Sequence, residues 1–152
     1  MNRITNYIFT LFLLFLCSCG YKAVLNNQNY QFSINIDKMY GDQKINSQII
    51  NKFRKLKESE KTYDLNLSSN IEKIIVSKDS KGDPSIFEIK INVNYLVKMK
   101  EETLINNNID RKTTYNNIID KFELENYEKT IINNLVSEIS DNIILSISNI
   151  SK

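Results

Sequence analysis

Apolar and polar side chains alternate from Phe87 to Met99, and this pattern constrains the fold more than any other feature of the sequence. Every odd-numbered position in the stretch is apolar, and the even-numbered positions are polar or charged except at Leu96. Successive side chains of a β-strand point to opposite faces, so a period of two is typical of strands. One face of this strand is therefore expected to pack on a core while the other meets water, as antiparallel sheets allow.

Three further stretches are predicted to be strands. Residues 30–37 alternate with period two, and residues 63–76 alternate but lose their phase at Ser68-Ser69-Asn70, where we expect a bulge or kink. Residues 104–115 alternate less regularly, and their polar character indicates an edge strand or a bound surface. A turn at 78–84, which contains glycine, aspartate and proline, joins two of these strands.

Two segments show the spacing of amphipathic helices. The first begins after Asp42, a residue type that commonly caps helices, and its apolar positions are Ile45, Ile49, Ile50, Phe53 and Leu56. The second runs from about Glu123 to Ile150. Its apolar positions are Ile131, Ile132, Leu135, Val136, Ile139, Ile143, Ile144 and Ile147. The width of this second stripe predicts more than one covered face, for which packing within a single chain is the commoner cause.

The order of these elements, β-α-β-β-β-α, predicts one α+β domain that spans residues 30–152. We expect a two-layer sandwich, in which a four-stranded, mostly antiparallel sheet carries both helices on one face. A chain of 152 residues is long enough for one such domain with a core of its own. No internal repeat or long linker indicates a second domain.

The composition excludes several classes of function. The chain contains no histidine, so a Ser-His-Asp or Cys-His site cannot be assembled and the commonest transition-metal ligand is missing. A net charge of +2, with acids and bases interleaved, argues against a protein that coats nucleic acid. The carboxylates are scattered, and there is no glycine-rich phosphate loop. We therefore expect a protein that is not an enzyme and that binds no metal or cofactor.

Both cysteines lie at the end of an apolar run near the N-terminus. Residues 8–16 are almost entirely apolar and follow a short charged segment, which is the layout of a secretory signal peptide. The run is too short to span a bilayer. Its end, Leu16-Cys17-Ser18-Cys19, resembles a bacterial lipobox, in which the cysteine becomes the mature N-terminus. We predict a signal peptide at 1–18 and a lipidated tether at 19–29.

Cys19 is the better candidate for the lipid anchor because the small Ser18 precedes it, whereas the bulky Leu16 precedes Cys17. Cys17 would then leave with the signal peptide. A CxC redox or metal site is the alternative, but the chain has no second cluster of ligands for it. By resemblance to other lipoproteins, Gly20 after the cysteine does not signal retention in the inner membrane. The predicted location is the periplasmic face of the outer membrane, held by the acyl chains on Cys19.

Several motifs together resemble the LPS-assembly lipoproteins of the LptE family. Residues 19–22, CGYK, resemble the start of the mature family members, although Ala23 stands where proline is usual. Residues 111–116, RKTTYN, resemble the end of a strand in the family, and residues 122–147 resemble its final helix. The predicted order of elements agrees over nearly the whole mature chain.

The resemblance implies a lipoprotein that plugs an LptD-like outer-membrane β-barrel in a one-to-one complex and helps lipopolysaccharide reach the outer leaflet. Cationic side chains could pair with the phosphates of lipid A. If the second to fourth strands form a meander, four cations are expected in one region, although ordinary solubilising lysines are the alternative. These candidate residues are Lys78, Lys81, Arg111 and Lys112. Two other functions stay open: an auxiliary lipoprotein of a lipid-trafficking ABC transporter, and a structural outer-membrane lipoprotein.

Overall fold

The computed structural model describes residues 30, 32–54, 56 and 59–151. The elements of this part of the chain are β1 (Ser33–Gly41), α1 (Gln43–Phe53), β2 (Thr62–Lys78), β3 (Pro84–Met99), β4 (Glu102–Asn116) and α2 (Lys121–Ile150). The predicted α+β class and the predicted order β-α-β-β-β-α are confirmed.

The strands form a mixed sheet in the order β1-β2-β3-β4. Strand β1 is parallel to β2, whereas β2 with β3 and β3 with β4 are antiparallel. A parallel pair needs a crossover connection, and α1 provides it between β1 and β2. The two antiparallel pairs are joined by short turns, so β2, β3 and β4 form the predicted meander.

One face of the sheet is covered by both helices. Helix α1 lies over β1 and β2, and α2 lies over β3 and β4. The alternation in β3 is confirmed, because its odd-numbered side chains from Phe87 to Val97 are buried against the helices. Met99 is the exception, since it is 38% exposed at the end of the strand, next to the turn at Lys100.

The predicted bulge at residues 68–70 is wrong. Strand β2 pairs with β3 in unbroken register from Asp64 to Ile75, and Ser69 occupies a core-facing position with only 4% of its surface exposed. Its carbonyl accepts a hydrogen bond from the Asp42 N–H at 3.0 Å, and its hydroxyl donates to the Asp42 carbonyl at 3.1 Å. The apolar pattern is interrupted because a small polar residue is needed there to hold the start of α1.

Both helices begin at an aspartate cap. The Asp42 carboxylate accepts a hydrogen bond from the Ile45 N–H at 2.9 Å, which confirms the predicted cap of α1. The Asp120 carboxylate caps α2 by accepting from the Glu123 N–H at 2.8 Å, so α2 begins slightly earlier than its apolar stripe indicates.

The wide apolar stripe of α2 is explained by two neighbours within the chain, the sheet and α1. At the helix–helix seam, the Lys52 ammonium of α1 lies 2.5 Å from the Asp141 carboxylate and donates to the Ser137 carbonyl at 3.0 Å. The side chains of Ile139, Ile143 and Ile147, on the inner side of α2, have no exposed surface. The second covered face is therefore the side that meets α1, as packing within one chain predicts.

Candidate functional site: the open face of the sheet

The structure does not bring the four predicted cationic residues together. Lys78 and Lys81 are exposed at the β2–β3 hairpin. Arg111 and Lys112 pair with positions of β3 that lie roughly 20 Å along the strand from that hairpin. The meander forms as expected, but the register places the two groups too far apart for one phosphate group to touch both.

Arg111 and Lys112 also lie on opposite faces of the sheet. Arg111 faces the helices, where its Nε donates to the Glu138 carboxylate of α2 at 2.5 Å. Lys112 lies on the other face, and its Nζ is 3.2 Å from the Glu88 carboxylate. Each of these cations already has a carboxylate partner within the chain. Their binding to lipopolysaccharide stays a prediction, as does that of Lys78 and Lys81.

The predicted lipid anchor, Cys19, lies outside the described residues, as do the signal peptide at 1–18 and the tether at 19–29. The first described strand begins beside residue 61, where the Ser33 N–H donates to the Lys61 carbonyl at 2.8 Å. The end of α2 lies at the same end of the molecule, because the Lys61 ammonium donates to the Ser151 carbonyl at 2.7 Å. We call this the entry end, and the opposite end, around residues 74–86 and 117–122, the hairpin end.

The face of the sheet opposite the helices, here called the open face, is rich in asparagine. It is formed by the even-numbered side chains of β2 and β3 and by those of β4 from residue 106 onward, which alternate with odd-numbered ones on the helix side of the sheet. Its asparagines on these three strands are Asn66, Asn70, Asn92, Asn94, Asn106, Asn108 and Asn116. Amide side chains both donate and accept hydrogen bonds without carrying charge. The centre of the open face is therefore polar and rich in amides, with the Asp110 carboxylate beside them.

Four side chains at the centre of the open face form a hydrogen-bonded network between β3 and β4. The Asn108 amide nitrogen donates to the Asn94 oxygen at 2.7 Å and to the Asn92 oxygen at 3.1 Å. The Asn92 amide nitrogen donates to the Asp110 carboxylate at 2.6 Å. Such cross-strand contacts fix the direction of each amide, and the remaining donors and acceptors stay available at the surface.

The sequence indicated this surface only in part. Alternation placed Asn92 and Asn94 on the wet face of their strand, and the polar character of residues 104–115 indicated an edge or a bound surface. The network itself was missed because a general excess of Asn, Ile and Lys in the chain explains asparagine runs equally well. Asparagines at alternate positions of two strands joined by a short turn are the signal that could have revealed it.

Apolar side chains are exposed at the hairpin end. Ile74, Ile75 and Val76 of β2 are 42%, 48% and 53% exposed. Ile119 and Phe122, which precede and begin α2, are 100% and 76% exposed. Strand β2 is roughly 55 Å long, so this apolar group lies far from the entry end. Exposed apolar side chains at one end of a molecule are a candidate contact region.

A polar cluster lies beneath α2 near the hairpin end. The Tyr115 hydroxyl donates to the Glu128 carboxylate at 2.7 Å, and the Lys73 ammonium lies 2.5 Å from the same carboxylate. The ammonium also lies 4.4 Å from the centre of the Phe87 ring. Burial, followed by the hydrogen bond to Glu128, raises the pKa of the Tyr115 phenol well above its usual value. The cluster ties α2 to the sheet.

No group of three or more His, Cys, Asp or Glu side chains that could hold a metal ion occurs among residues 30, 32–54, 56 and 59–151. None of the described helices is long and apolar enough to cross a membrane.

The architecture belongs to a class of small two-layer α+β folds found in bacterial lipoproteins. Rare lipoprotein B from Shewanella oneidensis superposes with a TM-score of 0.59 at 12% identity, over 77% of this chain and 96% of that chain. Lipoprotein B from Nitrosomonas europaea superposes with a TM-score of 0.60 at 14% identity, over 87% and 92%. A minor lipoprotein from Acinetobacter baumannii gives 0.54 at 10% identity, over 79% and 92%.

These likenesses extend over nearly the full length of the compared structures, so the whole described fold is shared. At such low identity they show the fold alone. No protein-family model and no curated protein sequence matches the chain.

Proposed function

We propose that this chain is an outer-membrane lipoprotein of the LptE type, which plugs an LptD-like β-barrel and assists lipopolysaccharide assembly at the outer leaflet. The observation that carries the proposal is the open face of the sheet. It is not covered by either described helix, and at its centre three asparagine amides and the Asp110 carboxylate hydrogen-bond across β3 and β4. A surface of this kind suits the polar, water-filled lumen of a barrel, because its amides can both donate hydrogen bonds to the wall and accept them from it.

Three further observations support the proposal. The lipobox-like sequence ending at Cys19 is typical of a chain that is anchored to a membrane by acyl groups. The fold is shared with bacterial lipoproteins, including rare lipoprotein B. The exposed apolar side chains at the hairpin end offer a second contact region, at the end of the sheet opposite the start of β1.

Co-purification tests the proposal. The full chain, carrying a C-terminal tag, is recovered from detergent-solubilised membranes of the producing cell, beside a variant with Asn94→Lys and Asn106→Lys on the open face. The matched control carries Asn126→Lys and Asn134→Lys, which are exposed positions of α2. We expect the wild type and the control to recover a β-barrel of roughly LptD size, and the open-face variant to recover at most about a tenth as much, because an unpaired charge would be buried at the wall.

Other outcomes would point elsewhere. An ATPase complex in place of a barrel favours the auxiliary lipoprotein of an ABC transporter, and the absence of any stable partner favours a structural lipoprotein. Equal recovery of the barrel by the open-face variant and the control would contradict the assignment of the open face as the contact surface.

A further inference from the structure

Strand β4 presents a long edge whose backbone groups point away from the sheet. It pairs with β3 on one side, and no described strand pairs with its other side. The Asn117 N–H donates to the Ser85 carbonyl at 2.9 Å, and this bond sets the hydrogen-bonding phase along β4. In the continuous register from Ile105 to Asn116, odd-numbered residues therefore direct their backbone groups toward β3, and even-numbered ones direct theirs outward.

An edge of this length is a template for pairing with another strand. In the middle of β4, two of its own side chains hydrogen-bond to backbone groups that point outward. The Asn107 side-chain oxygen accepts a hydrogen bond from the Asn108 N–H at 2.8 Å. The Arg111 guanidinium donates from Nη1 to the Asp110 carbonyl at 2.8 Å, and its Nε is held by Glu138 of α2. One outward donor and one outward acceptor are thus satisfied within the chain.

The stretch of β4 at residues 107–111, here called the capped stretch, also forms one wall of a groove between β4 and α2. The groove has a volume of about 320 Å³, and Asn107 and Arg111 line it together with Asn142 and Leu145 of α2. A strand that added to the middle of β4 would have to displace both capping side chains. The adjoining parts of the edge are protected by other means, since the pairing is irregular near Thr103 and the charged Lys112 follows the capped stretch.

We infer that Asn107 and Arg111 form a lock that closes the edge of β4 to strand addition, and that opening the lock lets a second copy of this chain pair along β4. The lock keeps the sheet from extending along β4, and it does not act on β1, the other edge strand of the described sheet. This inference does not depend on the proposed function, because it rests on hydrogen bonds within the described chain. It would hold equally if the partner were not a barrel.

Backbone amide exchange tests the lock directly, measured residue by residue on the full chain in detergent micelles. In Asn107→Ala we expect the Asn108 N–H to exchange about three- to tenfold faster, which is the factor expected for one ordinary hydrogen bond. Asn107→Asp keeps an acceptor oxygen and is expected to keep the slow exchange. Thr113→Ala, on the same side of the same strand, is the matched control and should leave the Asn108 exchange rate unchanged.

Sedimentation velocity in density-matched detergent tests the consequence. The Asn107→Ala/Arg111→Met variant is expected to dimerise as its concentration rises, while the wild type and Thr113→Ala stay monomeric. Circular dichroism checks that the double variant is folded, and if it is not, the exchange result for Asn107→Ala decides. Equal exchange of the Asn108 N–H in the wild type and Asn107→Ala, a folded double variant that stays monomeric, or a wild type that dimerises through β4 would each overturn the inference.

Discussion

Replacing Gly41 tests the account of how α1 is joined to the sheet. Gly41 has a φ of +83°, a left-handed conformation that favours glycine. A Cβ at this position would lie 1.9 Å from the carbonyl oxygen of Ser69, which belongs to the backbone of β2 and is buried. The Gly41→Ala variant must therefore separate the end of β1 from β2.

The expected cost follows from what that separation breaks. The left-handed conformation alone costs an alanine about 1–2 kcal/mol. The movement also disrupts the two hydrogen bonds between Asp42 and Ser69, each with a net contribution of about 0.5–1.5 kcal/mol. We expect Gly41→Ala to lower the free energy of unfolding by about 2–5 kcal/mol, a large share of the stability of a domain of this size.

Gly82 provides a matched control for this substitution. It has a φ of +90°, but no atom lies within 4 Å of the position that its Cβ would take. Gly82→Ala should therefore lose only the conformational contribution of about 1–2 kcal/mol. Urea unfolding followed by circular dichroism compares the two variants. Equal destabilisation of both would refute the close approach of Gly41 to Ser69 as the cause.

Two further predictions concern the polar cluster under α2 and the cationic residues. Because the folded state raises the pKa of the Tyr115 phenol above its unfolded value, its contribution to stability is present below about pH 10 and is lost as the pH rises further. Tyr115→Phe should flatten this alkaline decline in urea unfolding, and an unchanged slope would contradict it. For lipopolysaccharide, Lys78→Gln/Lys81→Gln should weaken binding in a vesicle-pelleting assay more than Arg111→Gln/Lys112→Gln, whose cations are already paired. Unchanged affinity in both variants would show that these four residues do not contribute to lipopolysaccharide binding.

The sequence predicts the fold well where one periodicity dominates. Alternation from Phe87 to Met99 has a single interpretation, a strand with one covered face, and β3 has that arrangement. The prediction from the sequence fails at Ser69. A buried serine that hydrogen-bonds to the backbone of Asp42 looks, in the sequence, like a break in the apolar/polar alternation. Residues adjacent in the chain are also easily misplaced in space. Arg111 and Lys112 form one basic pair in the sequence, but a strand directs them to opposite faces of the sheet.

The candidate site is harder to predict than the fold because it depends on pairing between strands. The amide network requires Asn92 and Asn94 to lie beside Asn108, and only the register of β3 with β4 establishes this. The caps on the edge of β4 are equally invisible in the sequence. To recognise them, one must know which backbone groups of β4 point away from the sheet. The hydrogen-bonding phase of the strand determines this, and residue type does not.

Photo-crosslinking in the producing cell tests the central claim most directly. A photoreactive phenylalanine analogue replaces Asn94 on the open face in one strain and Asn126 on the exposed side of α2 in another. If the open face meets the wall of an outer-membrane barrel, irradiation of the first strain should give a covalent adduct with a barrel of roughly LptD size, in clearly higher yield than the second. A barrel adduct from position 126 alone, or none from position 94, would contradict the claim.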